Sequence, residues 1–305
     1  DYDMAARLDP SGGGILYDRG IADGRKGDVD RAIADLSEAI RLYPQFAYAR
    51  NARGAAYYGQ RDFDRAIADF EAAIQLDPKF ADAFVNRGNV FSAKGDTGRA
   101  VADYTAALGI DPNDAAAYYN RALARQRQGD IDSAIADGGR AIALDPTPAA
   151  YNNRGSALQA KGDYAKAIAD FDRAITLDPQ AAGPYINRGN TRRATLDLAV
   201  AVADYTKAIA LSPDSAPAYY NRAWAHFLSA DNAAALADID RAIALDANAP
   251  SEFFTRGLVR ERLADKNGAA ADFRHASALA PAFKQPAEAL QRLQAGSATD
   301  RINSK

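Results

Sequence analysis

Five asparagines, Asn86, Asn120, Asn153, Asn187 and Asn221, recur thirty-three or thirty-four residues apart. A carboxamide donates through its nitrogen and accepts through its oxygen, so a row of them can hold a polypeptide backbone without reading its side chains. The groups that make and break covalent bonds are scarce around them. Cysteine is absent, and His226 and His275 are the two histidines, well separated in the chain. A metal centre or a serine–histidine pair lacks partners, so no catalytic or metal-binding residue is assigned. Asp28 with Asp30, Asp62 with Asp64 and Asp130 with Asp132 form Asp-x-Asp runs without the glycine and further ligands of a calcium loop. No cofactor is implied.

Composition narrows the partners. The 305 residues are 48% hydrophobic and 25% charged, and 37 basic against 40 acidic residues leave a net charge of -3. Such a balance provides no field for nucleic acid or an acidic membrane surface. The longest apolar runs fall short of a membrane span. The expectation is a soluble chain whose compartment stays open: cytoplasmic or, if a leader has been removed, exported. Partners are then proteins or peptides.

The elements that would position the asparagines come from internal repetition. From Gly13 the chain divides into eight repeats: 13–46, 47–80, 81–114, 115–147, 148–181, 182–215, 216–249 and 250–283. Each holds two helical patterns. The eighth position is glycine or alanine (Gly20, Gly54, Gly88, Ala122, Gly155, Gly189, Ala223, Gly257). The twentieth is alanine from Ala32 to Ala269, and the twenty-seventh from Ala39 to Ala276. Small residues there let two helix axes approach closely. Position twenty-four is larger in most repeats, as at Phe70, Tyr104, Phe171, Tyr205 and Phe273. Gly138 and Gly139 break that pattern in the fourth repeat. A gap and a bend are expected there, beside the short Pro146-Thr147-Pro148 junction. Aspartate at position sixteen, from Asp28 to Asp265, suits a helix N-cap, and proline near position thirty-two ends the second helix.

The flanks complete the domain reading. Residues 1–12 match the second half of a repeat followed by a glycine-rich joint, which suggests a remnant of a truncated preceding repeat. Residues 284–295 read as a capping helix and 296–305 as a disordered tail.

An aromatic at position four, Gly or Ala at eight, Ala at twenty and twenty-seven, an aromatic at twenty-four and Pro at thirty-two together resemble the tetratricopeptide repeat. The resemblance implies an all-α solenoid: a right-handed superhelix of about eight helix-turn-helix repeats plus the C-terminal cap. First helices would line its concave wall. The amide row occupies position six and resembles the asparagine ladder in the superhelical repeat domain of O-linked N-acetylglucosamine transferase, which grips extended polypeptide. The competing reading is that each Asn bonds the neighbouring helix. Positions two, five, nine and twelve share the same wall. They supply Tyr119, Asn152, Asn190, Tyr220 and Trp224 as further peptide contacts, with Phe227, Phe254 and Leu258 at the apolar end. Packing between first helices is the competing reading for Trp224 and Phe227. Position five holds no lysine, which disfavours the carboxylate clamp of chaperone-binding repeats.

One departure from the resemblance carries physics. Position seven, where the family usually has leucine, is arginine in every repeat, and position twenty-three is aspartate in every repeat (Arg19 with Asp35 through Arg256 with Asp272). Both change together, so an ion pair is expected in place of an apolar contact. The resulting function is a non-catalytic interaction scaffold. Two other readings compete: the targeting domain of a larger enzyme whose catalytic part is absent, and a self-associating array joined through the incomplete first repeat.

Overall fold

The computed structural model describes residue 4 and residues 12–303, with side chains through residue 295. The expected second-helix remnant over 1–12 otherwise lies outside the described residues. Contacts divide the chain into two compact units, residues 1–157 and 158–305, here the N-terminal and C-terminal halves. The N-terminal half runs α1 (Gly13–Lys26), α2 (Val29–Leu42), α3 (Ala47–Gly59), α4 (Phe63–Leu76), α5 (Ala81–Ala93), α6 (Thr97–Ile110), α7 (Ala115–Gln128) and α8 (Ile131–Leu144). The division falls inside α9 (Pro148–Lys161). The C-terminal half continues with α10 (Tyr164–Leu177), α11 (Ala182–Ala194), α12 (Leu198–Leu211), α13 (Ala216–Leu228), α14 (Asn232–Leu245), α15 (Pro250–Arg262), α16 (Lys266–Leu279) and α17 (Lys284–Asn303). Among the described residues there is no strand. Within each half, successive helices pack as antiparallel pairs and each pair packs on the next, an all-α solenoid arrangement.

Seven of the eight second helices start where an aspartate side chain satisfies an amide that the helix leaves open. Asp62 accepts from the Arg65 N–H at 3.1 Å, Asp96 from Arg99 at 3.0 Å and Asp265 from Gly268 at 2.9 Å. Asp197 departs from this pattern. Its carboxylate takes the Thr195 hydroxyl at 2.9 Å, and no side-chain cap forms.

Packing within a pair rests on size matching. The position-eight glycine lies against the position-twenty-four ring. A Cβ on Gly88 would stand 2.8 Å from Tyr104, and one on Gly189 would stand 2.7 Å from Tyr205. Where position eight is alanine, at Ala122 and Ala223, position twenty-four is Gly138 or Ile239 instead. The alanines at twenty and twenty-seven are buried in every repeat. At Gly138 the missing ring leaves no simple gap. The Arg154 side chain lies over it, with its Cβ 3.0 Å from where a Gly138 Cβ would be.

The arginine–aspartate pairs form wherever both partners lie in one half. Arg87 donates Nε and Nη2 to the two oxygens of Asp103 at 2.9 and 2.7 Å, and Arg53 holds Asp69 at 2.8 and 2.8 Å. Arg19–Asp35, Arg121–Asp137, Arg188–Asp204, Arg222–Asp238 and Arg256–Asp272 repeat the fork. Arg154 and Asp170 fall on opposite sides of the division. A further Nη1 often reaches position twenty-five of the preceding repeat: Ser37 from Arg53, Thr105 from Arg121, Thr206 from Arg222 and Asp240 from Arg256. One guanidinium thus ties three helices. Its hydrogen bond to Asp103 holds Arg87 above its usual pKa, so its charge is retained throughout.

The C-terminal helix closes the last apolar face. Ala289 and Leu293 of α17 cover Phe273 and Ala269 of α16. α17 continues to Asn303, so 296–303 is helical where a disordered tail was expected. Gly296 alone costs about 1 kcal/mol of helix propensity, and no proline follows to stop the turn.

Three outcomes test this packing. Asp103→Ala strips a half-buried guanidinium of its bidentate partner, leaving it Glu71 at 3.8 Å, and should cost roughly 3 kcal/mol in urea unfolding, whereas Arg87→Met with Asp103→Leu should recover most of that loss. Gly88→Ala should destabilise by about 1–3 kcal/mol through overpacking. Gly109→Ala, in open space, should instead stabilise by about 0.5–1 kcal/mol. Arg65 holds Asp62 below the usual carboxylate range through its side chain first and its backbone N–H second; at Asp96 the Arg99 backbone N–H leads. A lowered folded pKa adds stability above the unfolded value, here 3.8, that is lost as pH falls through the folded one. The urea midpoint should therefore drop below about pH 4, and less so in Asp62→Asn with Asp96→Asn, because Asn still caps.

Candidate functional site

First helices carry the amides, and the structure shows what each one does. In the N-terminal half, Asn86 on α5 donates to the Asn51 carbonyl on α3 at 3.0 Å. Asn120 on α7 donates to the Asn89 carbonyl on α5 at 3.1 Å. Each amide therefore commits one N–H to the first helix before it. Both asparagines remain half-buried, not sealed. Asn89 accepts a second bond, from the buried Tyr104 hydroxyl at 2.8 Å. Asn153 differs, being only 7% exposed, and its Nδ2 has no hydrogen-bond partner among the described residues. It does not present its amide at the surface as Asn86 and Asn120 do. Asn152 beside it is half-buried. Tyr119 lines a cavity of about 190 Å³ with Ala115, Ala149 and Thr147.

A larger recess of about 530 Å³ opens where α3, α5 and α7 meet. Tyr58, Asn89, Ser92, Asn120, Leu123 and Arg127 line it, with the Tyr104 hydroxyl at its base. Burial pushes the Tyr104 phenol well above its ordinary value, and Ser92 and Arg127 oppose the rise, so it stays a neutral donor at physiological pH. Sequence reasoning missed Ser92, Tyr104 and Arg127 here. A signal was present: tyrosine at position twenty-four occurs in the third and sixth repeats, and Asn at position nine occurs in the same two.

The C-terminal half repeats part of this arrangement. Tyr205, buried on α12, donates to Asn190 of α11 at 2.8 Å. Asn187 and Asn221 are half-buried on α11 and α13. Tyr220 packs partly on the Ala223–Ile239–Ala242 cluster. Trp224 meets Phe227 edge to face at 5.4 Å, and both join Ala235 and Val259 in a core. The Arg262 guanidinium covers the Phe227 ring at 3.6 Å. Phe227 is thus packing rather than a wall residue, and Trp224 shares its cluster while staying half-exposed.

Both histidines have structural settings. His226 stands 3.7 Å from Asp231 and 3.9 Å from Asp238, where Arg125, Arg192 and Arg260 bind the aspartate in other repeats. His275 lies 4.2 Å from the Phe253 ring. Among the described residues no group of three His, Cys, Asp or Glu could hold a metal ion, and no helix is long and apolar enough to cross a membrane.

Comparison with known proteins fits this geometry. Models described as tetratricopeptide repeat match residues 17–79, 51–115, 85–146, 148–180, 186–250 and 222–303. No curated protein matches the chain. Among solved structures, the Cut9–Hcn1 hetero-tetramer of APC/C aligns with a TM-score of 0.67 at 15% identity, covering 87% of this chain. This chain spans only 52% of that one. A tetratricopeptide repeat protein from Parabacteroides merdae aligns at 0.66 and 20% identity, over 81% of this chain and 98% of its own. YrrB, described as a TPR protein with an unusual peptide-binding site, aligns at 0.50 and 21%, over 60% and 95%. At these identities the likeness is one of fold. With the family models covering most of its length and helix pairs stacked repeat on repeat, the chain belongs to the tetratricopeptide repeat family, as a protein-interaction scaffold.

Proposed function

We propose that the first-helix surface of each half holds an extended polypeptide partner by its backbone. Asn86 and Asn120 are the amide contacts in the N-terminal half, and Asn187 and Asn221 those in the C-terminal half. One observation carries the reading. Asn86 and Asn120 each give a single N–H to the preceding first helix and stay half-exposed. A second N–H and a carbonyl lone pair are left on each, which is what a peptide unit needs from an amide. The inter-helix bond also fixes each side chain, so less rotamer entropy is lost on capture. Tyr119, Asn190, Tyr220 and Trp224 flank these contacts on the same helices, and Asn152 is a further amide on α9. The peptide-binding site named for YrrB lends the reading support from a neighbour of the same fold.

The test is selection from a random dodecapeptide display library on the full chain. Peptides recovered on the unaltered protein should lose about tenfold in affinity for Asn86→Ala with Asn120→Ala, the equivalent of one or two hydrogen bonds. The far-UV circular dichroism should not change. Equal affinity for the variant would remove the amides from the site.

A further inference from the structure

The recess between α3, α5 and α7 contains a charge that the helix packing does not use. Arg121 and Arg125 of α7 are both spent on Asp137. Arg127, on the same helix, is exposed and donates Nη1 to the Ser92 hydroxyl at 3.0 Å. Among the described residues no carboxylate pairs with it. Beside it, the Asn89 carbonyl is occupied twice, by the Tyr104 hydroxyl and by Asn120. That double acceptance fixes the amide and leaves its NH2 as the group offered to the recess. The Tyr58 hydroxyl adds another donor, and no acid lines the walls.

One fixed cation among neutral donors suits a singly charged ligand with two acceptor oxygens. A phosphate dianion would find only half of its charge met. The C-terminal half supplies an independent parallel. The Tyr205–Asn190 couple again has an arginine beside it, Arg193, whose Nε is buried and donates to nothing among the described residues. The two cations come from different places in the repeat, position thirteen at Arg127 and position twelve at Arg193. Repeat copying alone would have placed them alike.

We propose that the recess bounded by Tyr58, Asn89, Ser92, Asn120 and Arg127 is a carboxylate subsite that receives an aspartate or glutamate side chain of the bound polypeptide. The proposal rests on the peptide reading of the first-helix surface and adds a charge requirement to it. Position five supplies no cation here (Asn51, Val85 and Tyr119 occupy it in these repeats), so the whole charge comes from Arg127.

Acetate is the direct probe. Titrated into the full chain and followed through the Arg127 Nε–H and the Asn89 and Asn120 side-chain NMR signals, it should saturate at about 1–10 mM. Arg127→Gln should weaken it at least tenfold. No saturable shift at those signals overturns the subsite, whatever peptides do. The source of the carboxylate is read on library-selected peptides. Replacing their acidic residue by its amide should cost about tenfold, and only with Arg127 present, while amidating the C-terminus should cost nothing. Loss on amidation alone would assign the recess to a chain terminus and overturn the side-chain assignment. A selection that yields no peptide would defeat the peptide reading, and with it this assignment to a bound polypeptide. The acetate titration would still decide separately whether the recess takes a carboxylate.

Discussion

A half-buried guanidinium that holds the carboxylate of its own second helix and reaches back to the preceding one is the contact on which the rest of the stack depends. Helix pairs of this size cannot bury enough apolar surface to fold singly, so each needs its neighbour. An apolar side chain at position seven would meet that need without direction. The Arg–Asp fork meets it with direction, because a planar guanidinium binding both oxygens fixes the rotation of one helix about the other. Its benefit is less in net free energy than in geometry, since a paired buried charge roughly offsets its own desolvation while an unpaired one is costly.

That geometry is what brings the first helices close enough for their amides to meet. Asn86 reaches Asn51, and Asn120 reaches Asn89, because successive first helices are held in a fixed register. The glycine at position eight sets how near a first helix lies to its partner, and the ring at position twenty-four fills the space that the glycine leaves. When that ring is tyrosine, its hydroxyl emerges among the first helices and requires an acceptor, which Asn89 and Asn190 provide. A choice made in the core therefore sets the polarity of the surface. The recess beneath Asn120 is a consequence of packing as much as of the residues at its rim.

Partition of the aromatic residues follows the same logic. Phe227 lies in a core with Trp224 beside it, because the repeat 216–249 has rings at positions nine and twelve, where the repeats 81–114 and 115–147 have Asn89 with Ser92 and Leu123 with Gln126. The polar recess lies in the N-terminal half, where Asn89, Ser92 and Asn120 of the first helices stand in its wall.

Helix starts, the alanine seams and the Arg–Asp pairing could be read from the chain, because each is a local or strictly periodic demand. A cap acts within three residues, a seam recurs every repeat, and a charge needs its opposite at a fixed offset. The fate of each asparagine could not be read that way. Position six is the same residue type in five repeats, yet Asn153 is buried where Asn86 and Asn120 are half-exposed. Burial of a side chain depends on its neighbours from other helices, here with Gly138 and Arg154 altering the packing locally. In the sequence Arg127 is likewise one basic residue among 37 in a chain of nearly balanced charge. Only the folded arrangement placed it beside Ser92, at a recess whose walls hold no acid.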